Sequence, residues 1–155
     1  MTISIGDMLP AQTIATSKNE NANLSDYVGG KLIVYFYPKD NTSGCTQQGQ
    51  DFRDHFQVFT KAQCQILGVS RDSLKSHANF IAKNDFPFTL ISDQDEQLCK
   101  LFDVIKEKNM YGRKYMGIER STFLFNSQGI LTQEWRKVRV KEHVLTVLDA
   151  AQNAS

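Results

Sequence analysis

The sequence predicts an α/β fold in which helices cover both faces of a mixed central β-sheet. Short apolar runs alternate with segments of helical periodicity through residues 32–102. Such alternation is typical of parallel strands joined by helices. A hairpin pattern follows at residues 121–136, and its two strands are expected to add antiparallel edges to the same sheet.

The N-terminal half begins with an irregular segment and continues into a strand and a helix. Residues 1–30 are expected to form short strands and turns, as an N-terminal extension of the fold. Residues 32–37 are apolar and lie between Gly30 and Pro38, which predicts a buried strand. A helix is expected from residue 45 to about residue 63, because three phenylalanines share one face: Phe52, Phe56 and Phe59.

The rest of the chain continues the alternation and ends in a helix. Asp72 and Ser73 are alternative N-caps for the second helix. The predicted elements are a strand at 64–70, a helix to about 83, a strand at 86–92, a helix at 94–102, a long basic loop at 104–117, hairpin strands at 121–125 and 130–136, and a helix at 141–151. This order fits a thioredoxin-like fold with an N-terminal extension.

Length and charge limit the classes of function. A chain of 155 residues is expected to form a single domain over 1–155. Its net charge of +1, from 18 basic and 17 acidic residues, argues against nucleic-acid binding or membrane-surface binding. No apolar run approaches the length of a membrane span, and residues 1–6 do not resemble a secretion signal. We therefore expect a cytoplasmic protein.

The sparse cysteines and histidines limit the kinds of covalent and metal chemistry that the chain is expected to have. Three cysteines without a C-x-x-C pair argue against a disulfide framework and favour a reducing compartment. The three histidines match no spacing of metal ligands. No metal or cofactor is therefore expected.

Cys45 lies where the first predicted strand, a tight loop and a helix N-terminus meet. Helix N-terminal N–H groups and a nearby arginine favour a thiolate there. Thr42, three residues earlier, offers a hydroxyl that both donates and accepts, and Pro38 fixes the backbone where the loop leaves the strand. Arg120 precedes a later strand and offers five donors on a permanently charged plane.

These four residues, in the pattern P-xxx-T-xx-C with a distant arginine, resemble the active site of peroxiredoxins. The flanking segments 35–42 and 51–54 resemble the Q-type subfamily, also called bacterioferritin-comigratory proteins. The likeness extends over almost the whole chain. It implies a thiol-dependent peroxidase that reduces hydrogen peroxide and organic hydroperoxides, and that is a monomer.

The resemblance also implies a role for each site residue. The Cys45 thiolate attacks one peroxide oxygen and becomes a sulfenic acid, while water or an alcohol leaves. The Thr42 hydroxyl, the Cys45 backbone N–H and Arg120 bind the two oxygens and stabilise the negative charge that develops on the leaving one. Apart from the resemblance, the position of Pro38 where the loop leaves the strand predicts that it shields the thiolate from water.

The chain departs from the subfamily at the positions of a resolving cysteine. One usual position is Gln50 here, and another matches Ile81. Gln48 also stands where a glutamate is frequent. The lack of a cysteine at positions 50 and 81 predicts a one-cysteine cycle in which an external thiol, from the glutathione or the thioredoxin system, reduces Cys45.

Alternative roles remain open for the other thiols and for the protein. Cys64 begins a predicted buried strand, and Cys99 lies on a short helix, so a structural role is favoured over a resolving role for both. A general disulfide oxidoreductase is disfavoured by the missing C-x-x-C. A peroxide-sensing switch or interaction protein, in which Cys45 is oxidised without sustained turnover, is the main alternative function.

Overall fold

The computed structural model describes residues 2–155 and contains nine strands and five α-helices in that range. The strands are Thr13–Thr16 (β1), Ala22–Asn23 (β2), Lys31–Phe36 (β3), Cys64–Ser70 (β4), Thr89–Ser92 (β5), Ile105–Met110 (β6), Arg113–Ile118 (β7), Ser121–Phe125 (β8) and Leu131–Trp135 (β9). The helices are Ser43–Asp54 (α1), Phe56–Lys61 (α2), Leu74–Asn84 (α3), Gln97–Leu101 (α4) and His143–Asn153 (α5).

Seven strands form one mixed sheet in the order β2-β1-β5-β4-β3-β8-β9. The central strands β3, β4 and β5 are parallel, while β8 and β9 on one side and β1 and β2 on the other are antiparallel. Helices α1 and α2 connect β3 to β4, and α3 connects β4 to β5. The predicted mixed sheet with an N-terminal extension is therefore confirmed.

The core has two layers because successive side chains of a strand point to opposite faces of the sheet. The even-numbered residues of 32–36 join a cluster with α4 and the N-terminal segment. The odd-numbered residues of 33–37 join a second cluster with α1, α2, α3 and α5. Helices thus cover both faces, and α1 lies on the second one.

The predicted helix at 45–63 is wrong in its continuity and in its start. The structure divides it at His55 into α1, which begins at Ser43, and α2. The His55 ring Nδ1 lies 2.9 Å from the Asp51 carbonyl oxygen, which the His55 backbone N–H would bind in a continuous helix. That N–H donates instead to the Phe52 carbonyl, and this local tightening ends α1.

The predicted basic loop at 104–117 is also wrong, because β6 and β7 form an antiparallel hairpin there. Tyr111 and Gly112 make the two-residue turn, with φ values of +53° and +79°. Positive φ at both positions is typical of the type I′ turn that suits the twist of a hairpin. The strands were missed because they are polar and exposed and pair only with each other.

Several other boundaries differ from the prediction by a few residues. The strand expected at 86–92 is confined to β5, and the helix expected at 94–102 is the shorter α4. Ser73, rather than Asp72, caps α3 by accepting a hydrogen bond from the Ser76 N–H at 3.1 Å. Among residues 2–155, no helix has the length and apolar character of a membrane span.

Candidate active site

The site lies at the carboxyl end of β3, where the chain enters α1 through the loop of residues 37–42. Cys45 is in the first turn of α1, and only 2% of its surface is exposed. The first backbone hydrogen bond of the helix runs from the Thr46 N–H to the Thr42 carbonyl. The N–H groups of residues 43–45 precede it and have no acceptor within the helix. Cys45 therefore lies at the positive end of the helix dipole.

Arg120 reaches this turn from the residue before β8. Its Nη2 donates to the Cys45 sulfur at 3.5 Å, and its Nη1 donates to Gln48 Oε1 at 2.6 Å. β8 pairs with β3, with Ser121 opposite Phe36, so the two chain segments meet at the same edge of the sheet. The structure thus brings together Arg120 and Cys45, which are 75 residues apart in the sequence.

Gln48 lies one turn after Cys45 and is fully buried. Because arginine only donates, its contact fixes Oε1 of Gln48 as the acceptor. The amide Nε2 is buried and has no hydrogen-bond partner among residues 2–155. An unpaired buried N–H group is costly, so this side chain holds Arg120 at some expense of stability.

Thr42 occupies the N-cap position of α1 without capping it. Its hydroxyl donates to the Lys39 carbonyl at 2.8 Å and makes no hydrogen bond to the helix N–H groups. The hydroxyl oxygen consequently keeps its capacity to accept a hydrogen bond. Pro38 lies half-buried in the same loop, two residues after the end of β3.

A buried network that we did not predict fixes this loop. Asp40 is 4% exposed and accepts hydrogen bonds from the Tyr37 hydroxyl at 2.6 Å and the Ser76 hydroxyl at 2.8 Å. His77 Nδ1 lies 2.7 Å from the same carboxylate, and Nε2 lies 2.8 Å from the Ile91 carbonyl. Since a carbonyl only accepts, Nε2 carries a proton. The contacts of His77 with Asp40 and with Ile91 tie the loop to α3 and β5.

Gly44 is another site residue that sequence reasoning missed. A Cβ atom there would lie 3.1 Å from Nη2 of Arg120, closer than ordinary van der Waals contact. A side chain at this position would require the guanidinium to shift by a few tenths of an ångström. The signal in the sequence was a glycine in the first turn of a helix, directly before the cysteine.

Two further titratable groups are affected by the charge of Arg120. Burial, followed by the charge of Arg120, lowers the pKa of His143 to about 4. Burial and the same charge also lower the pKa of Lys108 in β6. The Cys45 sulfur acts in the opposite direction and raises the Lys108 pKa. The base of the β6–β7 hairpin is therefore close enough to the site to be affected by its charges.

The other two cysteines lie away from this site. Cys99 is fully buried in the first core cluster, whereas Cys45 belongs to the second, across the sheet. Cys64 shares the face of Cys45 but begins β4, opposite Lys31 at the start of β3. All three cysteines are free thiols, so none of them forms a disulfide with another.

Two cavities are found among residues 2–155, and Cys45 lines neither of them. A cavity of about 680 Å³ lies near Cys64 and the start of β4, remote from the site. A smaller one, of about 460 Å³, adjoins α1 beside Ser43 and Gly44. Within residues 2–155, no group of three or more His, Cys, Asp or Glu side chains is placed to hold a metal ion.

Comparison with known proteins identifies the family of this chain. The model of the AhpC/TSA family matches residues 5–134. Peroxiredoxin Bcp of Xanthomonas campestris pv. campestris is 53% identical over 146 residues, which cover 92% of this chain and 91% of the relative. The chain therefore belongs to the AhpC/TSA family, as a peroxiredoxin of the Q-type, or bacterioferritin-comigratory, branch.

Two solved structures show the same fold. A cysteine-to-serine mutant of Xylella fastidiosa PrxQ superposes with a TM-score of 0.90 at 44% identity, covering 97% of this chain and 96% of the other. The Xanthomonas campestris bacterioferritin comigratory protein, studied for its alkyl peroxide reduction activity, superposes with a TM-score of 0.87 at 49% identity, covering 94% and 98%. The predicted thioredoxin-like fold and the peroxiredoxin resemblance are both confirmed.

Proposed function

We propose that this thiol-dependent peroxidase reduces hydrogen peroxide and organic hydroperoxides through a sulfenic acid on Cys45, in a one-cysteine cycle completed by an external thiol. The observation that carries the proposal is the 3.5 Å contact between Arg120 Nη2 and the Cys45 sulfur at an uncapped helix N-terminus. The proposal includes a monomeric protein in the cytoplasm, where thiols remain reduced.

The chemistry follows from the charges around the sulfur. The Cys45 thiolate attacks one oxygen of the peroxide, the O–O bond breaks, and its electron pair moves to the second oxygen. The negative charge that develops there is stabilised by Arg120 and by the backbone N–H groups at the start of α1. A proton from solvent then completes water or an alcohol as the leaving product.

Thr42 positions the peroxide rather than the sulfur. Because its hydroxyl proton is donated to the Lys39 carbonyl, its oxygen is free to accept the O–H of a hydroperoxide. A single O–H is common to hydrogen peroxide and to organic hydroperoxides, so this recognition does not discriminate between them. The alkyl peroxide reduction of the Xanthomonas relative agrees with the second class of substrate.

The one-cysteine cycle is supported by the position of Cys99. A disulfide requires Cα atoms within about 7 Å, whereas the sheet separates Cys99 from Cys45. Burial, together with the charge and hydrogen bond of Asp93, raises the pKa of the Cys99 thiol well above its ordinary value. Cys99 therefore does not supply the thiolate that captures a sulfenic acid.

Cys64 is separated from Cys45 by the length of the sheet. It pairs with Lys31, five residues before Phe36 at the carboxyl end of β3, and a strand advances about 3.3 Å per residue. Burial raises the pKa of its thiol to about 12. An intramolecular disulfide with Cys45 would require the sheet and α1 to separate, so the reducing thiol is expected to come from outside.

Steady-state peroxide consumption by single-cysteine variants tests the assignment. Wild type, Cys45→Ser, Cys64→Ser and Cys99→Ser are compared with glutathione and with thioredoxin as reductants. Only Cys45→Ser is expected to abolish turnover. Sustained peroxide consumption by that variant would overturn the choice of nucleophile.

Mass spectrometry after one equivalent of peroxide tests the cycle itself. We expect a sulfenic acid on Cys45, detected as its dimedone adduct, in a protein without an internal disulfide. A linkage between Cys45 and either Cys64 or Cys99 in the monomer would contradict the one-cysteine cycle while leaving the peroxidase activity intact. A single oxidation that no thiol reverses would instead indicate a peroxide sensor.

A further inference from the structure

The β6–β7 hairpin is a projecting element that the core does not require. It pairs with neither edge of the seven-stranded sheet. Arg71 joins it to the body of the protein, since Nη1 contacts the Met116 carbonyl at 3.4 Å and Glu96 at 2.9 Å. Its last residue, Ile118, lies two positions before Arg120, so the hairpin rises directly beside the site.

Its surface is unusually apolar for an exposed element. Four of the nine exposed large hydrophobic side chains described for residues 2–155 lie on it: Met110, Tyr111, Tyr115 and Met116. Tyr111, at the turn, is 99% exposed. Clusters of exposed apolar side chains with charged neighbours are typical of protein interaction surfaces.

The hairpin is also the basic part of an otherwise slightly acidic molecule. Residues 105–118 carry four basic side chains and one acidic one, a net charge of +3. The whole chain has a net charge of +1, which leaves −2 for the remaining residues. A partner that docks on the hairpin is therefore expected to be acidic.

The register of the strands divides these side chains between two faces. Lys106, Lys108 and Met110 lie opposite Gly117, Tyr115 and Arg113, and cross-strand partners share a face. We call this the basic face, because the hairpin places three cations and no carboxylate on it. One of these cations, Lys106, pairs with Asp103, just before the hairpin, at 3.1 Å. Glu107, the single acid, lies on the other face and pairs with Lys114 at 3.6 Å.

The basic face is continuous with the active site through Lys108. A Cβ atom on Gly117 would lie 3.2 Å from Lys108 Cδ and 3.1 Å from Tyr115 Cε2. Both side chains therefore fold across the bare backbone of Gly117, at the base of the hairpin. Lys108 is half-buried there and makes no ion pair within residues 2–155. The influence of Arg120 and Cys45 on the Lys108 pKa agrees with this placement.

We propose that the basic face is the docking surface for an acidic protein dithiol that reduces Cys45, an inference that rests on the proposed one-cysteine cycle. Since Cys45 is 2% exposed, a reducing thiol must be held over the first turn of α1. Docking on the adjacent hairpin supplies that position and raises the local thiol concentration. A small thiol needs no apolar surface of this size.

The docked dithiol supplies both electrons that the reduction of Cys45 requires, so no further reactant is needed. One partner thiolate attacks the sulfur of the Cys45 sulfenic acid, the S–O bond breaks, and hydroxide leaves and takes a proton to form water. The second partner thiol attacks the partner's own sulfur in the mixed disulfide and releases the Cys45 thiolate. The partner dithiol is oxidised to a disulfide by two electrons, and Cys45 is reduced by two.

Separate measurement of the two half-reactions tests the proposal. Stopped-flow kinetics give the rate of Cys45 oxidation by hydrogen peroxide and then its reduction by an acidic thioredoxin or by dithiothreitol. The test variants are Arg113→Glu and Tyr115→Ser on the basic face. Lys114→Glu is the matched control, because it makes the same change of charge on the neighbouring residue of the other face.

We expect Arg113→Glu and Tyr115→Ser to slow reduction by thioredoxin at least tenfold at low salt, with weaker salt dependence for Arg113→Glu. Oxidation by peroxide and reduction by dithiothreitol are expected to stay within twofold of wild type, and Lys114→Glu to stay close to wild type throughout.

Three results would overturn the docking surface alone, with Cys45 still oxidised normally. Thioredoxin could reduce the test variants as fast as wild type, Lys114→Glu could slow it equally, or glutathione could outpace thioredoxin in every variant. Sedimentation that shows a dimer abolished by Arg113→Glu would assign the face to a second copy of the chain. Failure of peroxide to oxidise wild-type Cys45 would instead overturn the proposed function.

Discussion

Replacing Gln48 with methionine is expected to lower the peroxidase rate without lowering the free energy of unfolding. This variant would therefore separate the effect of Gln48 on catalysis from its effect on stability. Methionine has nearly the volume of glutamine but cannot accept the hydrogen bond from Arg120 Nη1, which is 2.6 Å long. A hydrogen bond to a charged group contributes about 1.5–3 kcal/mol. At about 1.4 kcal/mol per tenfold, its loss from the transition state lowers kcat/KM for peroxide by roughly 10- to 100-fold.

The effect on stability has the opposite sign. Gln48 is fully buried, and its Nε2 has no partner within residues 2–155. An unpaired buried donor costs about 1–3 kcal/mol, and methionine removes it. Arg120 is only half-buried, so water can replace part of its lost contact. We therefore expect the free energy of unfolding to stay within about 1 kcal/mol of wild type or to rise.

Competition kinetics for peroxide and urea unfolding measure the two quantities. Gln47→Met is the control, because Gln47 is the exposed neighbour on the same helix. Within residues 2–155, the one side-chain hydrogen bond of Gln47 is to Asp51. It is expected to leave both values near wild type. A Gln48→Met protein that reacts within twofold of wild type but unfolds more easily would refute the assignment of Gln48 as the residue that positions Arg120.

Three further predictions concern the same region. Arg120→Lys keeps the charge but cannot make the two directed contacts of the guanidinium, so the rate constant with peroxide should fall at least about tenfold; an unchanged rate in stopped-flow measurements would show that charge alone suffices. His143 has its pKa lowered to about 4 by burial and then by Arg120, so its contribution to stability is complete above pH 6.5 and is lost as the pH falls toward 4. That loss amounts to about 3 kcal/mol at most, and urea unfolding of His143→Gln should show a flatter dependence across this window. In Gly49→Ala the new methyl group would overlap the ring of buried Phe86, and we expect a loss of about 1–3 kcal/mol in the free energy of unfolding; an unchanged melting temperature would show that the ring moves at no cost.

The pattern of apolar residues predicted most accurately the strands that are buried on one or both faces. The strands β3, β4 and β8 consist almost wholly of buried residues, and each was predicted to within one or two residues. The hairpin of β6 and β7 was not, because its residues are mostly exposed and its pairing depends on the turn at Tyr111 and Gly112. Exposed strands leave little hydrophobic pattern to recognise.

The sequence by itself determined the kind of chemistry. Pro38, Thr42 and Cys45 are only a few residues apart, so the covalent chain keeps them close together in any fold. Only the tertiary structure decided which distant groups complete the site. The antiparallel pairing of β8 with β3 brings Arg120 to Cys45, and α3 brings His77 to Asp40. The sheet also separates Cys99 from Cys45. Such contacts arise from packing between elements far apart in the chain, which local residue patterns do not encode.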